Sequence, residues 1–273
     1  MFYQLMPQAV IYSISSLQQK ESCKAEKSFT PLFVMSKAIT LNLDKLSCLT
    51  CRMAMFCSRS ELWAEELNLP GECAQHLSTV EDGARVFRAG RLLKYLYVVR
   101  AGSIKTIVCD GQGEERIMGF HMPGDVLGLE AISTGAHTCA AVALEKSSIC
   151  HIPYRRLQRL CSHEPELCRD LAVLISDEIT HKHQMMLILG RNRAAAKIAA
   201  LLVNLSTRFR GRGFPAQRFS LSMSRHDIGC FLGLALETVS RLLGKIQQKG
   251  IIEVDRRSIR ILDLGQLQEL AQG

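Results

Sequence analysis

The stretch Cys48-Leu-Thr-Cys51-Arg-Met-Ala-Met-Phe-Cys57 sets three thiols in a C-x2-C-x5-C spacing inside an apolar segment. Three thiols this close are poorly explained as core hydrophobes, whereas as thiolates they can wrap one soft metal centre. The run supplies three ligands, and a closed site needs a fourth from Cys23, Cys73, Cys109, Cys139, Cys150, Cys161, Cys168 or Cys230. Four thiolates suit iron–sulfur and tetrahedral zinc chemistry alike, and spacing does not separate the two. Disulfides are disfavoured, because nothing else in the chain has a secreted character.

A second constellation is Glu237, Ser240 and Arg241. Their i, i+3, i+4 spacing puts all three on one helix face. In a DNA major groove, Arg can fork onto guanine O6 and N7, and Glu can accept from a cytosine amino group. Lys245, Lys249, Arg256 and Arg257 suit phosphate contacts that set register. Nothing reads as an enzyme: His121, His137 and His151 lie among β segments with no patterned nucleophile.

The elements that must carry these groups follow from periodicity. Ser224-Arg-His-Asp227 is a capping box with Asp for Glu, opening a short helix that Gly233 ends. A second helix runs from about Leu236 to Lys249, with Gly250 as its C′ residue. Ile228, Leu232, Val239, Leu242 and Ile246 supply the shared core of a helix-turn-helix. Residues 251–262 read as a β wing around a charged tip, and an apolar helix near Ala194–Arg208 precedes the module. From residue 191 to 273 there are fourteen Lys and Arg against six Asp and Glu, so this module carries the whole chain's net charge of +8. Such a footprint points to nucleic acid.

From about Val80 to Cys150, short β segments alternate with glycine turns, as in a small antiparallel barrel or roll. From Pro165 to Leu189 there is no glycine and no further proline, which predicts a helix about 37 Å long. Cys168, Leu171, Ile175, Glu178, Lys182, Met185 and Leu189 form a heptad seam, with Ile179 beside it, and predict a homodimer interface. Leu167, Leu174 and Ile188 serve the intramolecular face. Like charges from Glu178 and Lys182 would meet their own copies across the seam and make it marginal. No apolar run reaches about 18 residues, and the N-terminus lacks a basic region before its apolar residues, so a cytoplasmic protein without a membrane partner is expected. Residues 1–47 read as a mobile tail, with Met35 as a second candidate start; the cluster segment and roll span 48–162, the dimer helix 163–190 and the basic module 191–273.

From about Cys48 onward the chain resembles the CRP/FNR superfamily, and within it the oxygen-responsive FNR type. The resemblance rests on the cysteine run, Gly119-Phe-His-Met-Pro-Gly-Asp125, Ala143-Leu-Glu-Lys-Ser-Ser-Ile-Cys-His-Ile-Pro153 and Gly233-Leu-Ala-Leu-Glu-Thr-Val-Ser-Arg-Leu-Leu-Gly244. It implies an α+β fold: an N-terminal β-roll of the cyclic-nucleotide-binding type, a long dimerisation helix and a C-terminal winged helix-turn-helix. It implies a 4Fe-4S cluster on Cys48, Cys51 and Cys57, with Cys150 as the fourth ligand. It further implies a homodimer formed anaerobically, with Glu237, Ser240 and Arg241 reading a palindrome of TTGAT half-sites. RNA polymerase is the implied partner in activating or repressing respiratory genes. Lys182 and Arg52 depart from the family's best-known member, which has an acidic and a small polar residue there. A cyclic-nucleotide effector is not expected, since a buried phosphate needs a cationic fork. Between Val126 and Cys150 there is no Arg, and the only Lys is Lys146.

Overall fold

A computed structural model of the chain describes Cys51, Met53, Phe56 and residues 76–273. The tail 1–47, Cys48, Arg52, Cys57 and Cys73 lie outside the described residues. Among the described residues, eight strands precede the helices: β1 (His76–Val80), β2 (Arg85–Phe87), β3 (Tyr95–Ala101), β4 (Ile104–Cys109), β5 (Glu115–His121), β6 (Val126–Leu127), β7 (Ala140–Ala143) and β8 (Ser147–Pro153). They form two four-stranded sheets, in the orders β1-β8-β3-β6 and β2-β7-β4-β5. All their pairings are antiparallel. The sheets close over Phe87, Tyr97, Val99, Ile104, Ala141 and Ile149. By the two-residue period of a strand, their neighbours Leu96, Val98, Cys150 and Ile152 point to the other face, where they pack in a second cluster with Leu157, Leu167 and Leu174. This is the expected roll.

A helix α1 (Tyr154–His163) follows β8, an element that the sequence reading leaves inside the roll. Glu164 breaks it, and Pro165 starts α2 (Pro165–Leu189) at a position where a missing N–H costs nothing. The limits of α2 are those expected from its lack of glycine and internal proline. Then come α3 (Ala194–Gly211), β9 (Arg218–Ser220), α4 (Arg225–Leu232), α5 (Leu236–Gln248), β10 (Ile252–Asp255), β11 (Ser258–Ile261) and α6 (Leu264–Gln272). The wing is three-stranded, in the order β10-β11-β9, so the short segment before α4 belongs to it.

The core of the C-terminal module holds Ile228, Leu232, Val239 and Ile246, as expected, together with Leu243. Leu242, placed in that core by sequence, is only partly buried, because one residue along a helix turns a side chain by about 100°. The same apolar cluster continues without a gap into Phe120, Met122 and Leu144 of the roll and Met185 and Ile188 of α2. Among the described residues, no helix is long and apolar enough to cross a membrane.

Candidate DNA interface and metal centre

The helix-turn-helix is locked by local chemistry. Ser224 Oγ accepts the Asp227 backbone N–H at 3.0 Å, and Asp227 Oδ2 accepts the Ser224 N–H at 3.0 Å. That capping box satisfies two orphan donors at the start of α4. Gly233 ends α4 at φ 68°, in the left-handed region that favours glycine. Gly229 is needed for a different reason: a Cβ there would lie 2.5 Å from the Leu234 backbone oxygen. No side chain fits where the turn passes so close to α4.

These constraints orient α5. Val239, Leu243 and Ile246 are buried, which turns Glu237, Ser240, Arg241 and Lys245 to the opposite, exposed face. Lys249 and the wing-tip residues Arg256 and Arg257 are exposed as well. Among the described residues, none of the five cations is engaged by a carboxylate, and Glu237 meets no cation. The arrangement offers one carboxylate, one guanidinium and a set of unspent positive charges to a polyanion.

Two of the four nominated thiols are described, and they approach one apolar cluster. Cys150 is buried on β8, opposite Val98 of β3 and Leu77 of β1. Cys51 is half-buried, and its Sγ accepts the Met53 N–H at 3.4 Å. Met53 and Phe56 are wholly buried, packed with Cys150, Ile152 and Leu157 and with Leu167 and Leu174 of α2. Cys51 and Leu171 border the same cluster. An N–H aimed at sulfur and an apolar surround both suit a thiolate-bound iron–sulfur centre. Cys48 and Cys57, the other two thiols, lie outside the described residues.

The remaining described cysteines differ in character. Burial and then the Glu130 carboxylate push the Cys139 thiol up to about 12, so it keeps its proton and is a poor thiolate donor. Cys161 is also raised, by burial and by its neighbour Cys168. Cys109, Cys168 and Cys230 are exposed. Among the described residues, no group of three or more His, Cys, Asp or Glu is assembled for a metal.

The face of α2 differs in part from the heptad reading. Leu167, Leu174 and Ile188 are buried, as the intramolecular stripe requires. Met185, placed in the seam by sequence, is buried with them at 7% exposure, because the end of α2 packs against the shared core. Ile179 and Met186 are 51% and 67% exposed. Ile179, Met186 and Leu189 therefore face away from the protomer, with the half-buried Leu171, Ile175, Glu178 and Lys182 at their flank. Lys182 pairs with Glu178 at 3.4 Å, in the favourable i to i+4 order. Its Nζ also reaches β5, 3.3 Å from where a Cβ on Gly119 would stand. The long stem thus carries the Lys182 charge toward its own roll.

Sequence reasoning missed the contact between the roll and the DNA-facing module. Asp125 after β5 is 3% exposed and forms ion pairs with both Arg208 and Arg212 of α3. Arg208 also donates to the Phe120 carbonyl at 3.1 Å. Burial alone would raise the Asp125 carboxyl, but Arg208 and then Arg212 hold it at about 2. Lys105 of β4 donates to Asp227 at 2.6 Å, and Ser222 donates to Glu145 at 2.7 Å. Phe120 and Phe231 meet edge to face at 5.1 Å. His121, buried beside Thr106, is pushed down to about 3 by burial and by the charge of Lys182, so it stays neutral at ordinary pH. The i, i+4 pair Arg208 and Arg212 was a visible signal, but its partner lies far away in sequence.

Comparison with known proteins bears on this geometry. A family model described as a Crp-like helix-turn-helix domain matches residues 196–270, and one described as a cyclic nucleotide-binding domain matches residues 77–164. The chain is 41% identical over 231 residues to the transcriptional activator protein anr of Pseudomonas aeruginosa, covering 85% of this chain and 95% of that one. It is 38% identical over 226 residues to the fumarate and nitrate reduction regulatory protein of Escherichia coli, covering 83% and 90%. Among solved structures, FixK2 from Bradyrhizobium japonicum matches with a TM-score of 0.66 and 30% identity, over 72% of this chain and 96% of that one.

Proposed function

The chain belongs to the CRP/FNR family of transcription regulators, and we propose that it is an oxygen-responsive member controlling anaerobic and respiratory genes. In this reading Cys48, Cys51, Cys57 and Cys150 hold a 4Fe-4S cluster, α2 joins two copies, and α5 reads a palindrome of TTGAT half-sites. Arg241 forks onto the guanine of the half-site, Glu237 accepts from a cytosine amino group, and Ser240 lies between them. Lys245, Lys249, Arg256 and Arg257 neutralise phosphates. The assembly acts in the cytoplasm, with RNA polymerase as its partner.

One observation carries the reading: the segment that bears Cys51, the strand that bears Cys150 and helix α2 share a single apolar core. When bound, the cluster supplies an oxygen-labile centre that ties distant cysteines together. The chain does the rest. With Cys51 held near Cys150, Met53 and Phe56 brace Leu167, Leu171 and Leu174 and fix the pitch of α2. Freed from Cys150, the segment no longer braces the helix, the stripe at Ile179 and Met186 loses its orientation, and the dimer weakens. A monomer keeps only one half-site's contacts and so binds DNA poorly.

Protein purified without oxygen should be brown and contain iron and acid-labile sulfide. Cys48→Ser, Cys51→Ser, Cys57→Ser and Cys150→Ser should each lose the chromophore, because a hard alkoxide is a poor substitute for a soft thiolate. Cys109→Ser and Cys230→Ser should keep it. A colourless wild type with one zinc and no sulfide would overturn the proposal, and a Cys150→Ser protein with full iron would remove that residue from the site.

A further inference from the structure

Helix α3 is the stem of the DNA-binding module. Its 18 residues, Ala194–Gly211, span about 27 Å. Only residues 190–193 tie its first turn to the end of α2. A joint at one end alone would let the stem pivot. A swing of about 10° carries the far end of such a rod about 5 Å, more than the rise of about 3.4 Å per base pair.

The roll holds the far end. Asp125 pairs there with Arg208, in the last turn of α3, and with Arg212 just beyond it. With both ends fixed, the module can still turn about the axis of α3. Two contacts away from that axis oppose the turn. Lys105 Nζ of β4 donates to Asp227 Oδ1 at 2.6 Å, and Glu145 accepts the hydroxyls of Ser222 at 2.7 Å and of Ser103 at 2.8 Å. The other oxygen of Asp227 accepts the Ser224 N–H and hydroxyl, so Lys105 grips the residue that caps α4. The Lys105 and Asp227 side chains are only 21% and 11% exposed, which spares this pair the solvent screening of a surface one. None of these contacts uses a residue of α5, so the face bearing Glu237, Ser240 and Arg241 stays open.

We infer that Lys105 and Glu145 are positioning residues for DNA readout: by gripping Asp227 and Ser222 they set the angle of α5 to the dimer helix, and with it the half-site spacing that the dimer accepts. The inference rests on the palindrome reading above. In a helix-turn-helix dimer the two half-sites lie about 34 Å apart, one turn of about 10 base pairs. One added base pair moves a half-site by about 3.4 Å and turns it by about 35° around the duplex. A module held at three places cannot follow both changes. One freed to turn about α3 follows them in part. Lys105 thus selects among DNA sites without touching DNA.

The test compares the full chain, purified anaerobically, with its Lys105→Gln/Ser222→Ala variant. Three kinds of duplex are titrated: one TTGAT half-site, the palindrome, and palindromes with one base pair added to or removed from the spacer. The wild type should prefer the natural spacing at least tenfold. The variant should keep its dimer and its half-site affinity within about twofold, because Ser224 and Asp227 still cap α4 and Asp125 still clamps α3. Its preference among spacers should fall below threefold, through weaker binding of the natural palindrome. Lys105→Gln alone should shift the preference in the same direction by a smaller factor, and it carries the test if the double variant does not fold. Wild-type spacer preference in a folded variant would overturn the inference, as would a wild type indifferent to spacing. Equal losses on the half-site and the palindrome would make Lys105 a support of the module's own fold and overturn it as well. A wild type that binds no TTGAT half-site would instead refute the proposed function, and this inference with it.

Discussion

Asp125→Asn removes a negative charge from between two guanidinium groups while keeping almost the same shape. Both arginines are largely shielded, with side chains 12% and 17% exposed, so neither is fully resolvated when the charge goes. Two independent routes give the magnitude. A carboxyl held at about 2 against an ordinary 3.8 corresponds to roughly 2–3 kcal/mol, at about 1.36 kcal/mol per pH unit. Removing one partner of a buried ion pair costs about 3–5 kcal/mol, an upper bound here because Asn can still accept one hydrogen bond. A loss of about 3 kcal/mol follows, or about 6–12 °C in Tm for a chain of this size. The pH dependence has a definite sign. The folded carboxyl lies below its unfolded value, so its contribution is complete above about pH 4 and is lost as pH falls from about 4 to 2. The Asn variant lacks that component of acid sensitivity. Calorimetric unfolding of both proteins from pH 7 to 3 measures it, with Arg85→Gln as the control. That pair is 42% and 49% exposed and should cost less than about 1 kcal/mol. An Asn variant melting within 2 °C of wild type, with an unchanged acid limb, would show that the two arginines do not depend on this charge.

Three further outcomes test other parts of the structure. Arg241→Ala should cost about 1–3 kcal/mol at the G·C pair and flatten discrimination there, whereas Lys249→Ala should weaken all sequences alike and reduce the salt slope by about one; equal losses on specific and random DNA for Arg241→Ala would make it a phosphate contact. Gly229→Ala must displace the Leu234 carbonyl, so specific DNA binding should fall at least tenfold while far-ultraviolet dichroism stays near wild type; full retention of binding would mean that the turn yields. Ile179→Glu should raise the dimer Kd at least tenfold with little change in protomer stability, whereas Met185→Ala should cost about 2–5 kcal/mol of folding; sedimentation and thermal unfolding separate the two, and an unaffected Ile179→Glu dimer would place the interface elsewhere.

What sequence revealed was whatever rests on local chemistry. The Ser224 capping box, the break at Gly233 and the limits of α2 each depend on neighbours within a turn or two, and the structure has them in place. The cysteine run was equally plain, but only Cys51 of its three thiols falls among the described residues. Met185 was assigned to the wrong face because a three-four alternation along a helix fits two adjacent stripes. Which of them is covered depends on where the roll and the C-terminal module pack. The Asp125–Arg208 and Lys105–Asp227 contacts join residues 83 and 122 positions apart. No periodicity records such a pairing, since each member alone looks like an ordinary polar residue.

The apolar cluster that runs from the helix-turn-helix into Phe120, Met122 and Leu144 has a consequence for modularity. A freely exchangeable DNA-binding module would end in a polar skin, so that it could be grafted behind any sensor. Here the boundary is cut through hydrophobic tissue: severing the C-terminal module would expose Phe231, which lies against Phe120, and would strip Asp227 of Lys105. Changes on β5 and on α4 are therefore coupled across the boundary, and the two halves of this regulator must drift together, as the faces of one interior do. A chimera that takes residues 191–273 alone inherits half of that interior, and should regain solubility only if β5 travels with it or Phe231 is made polar.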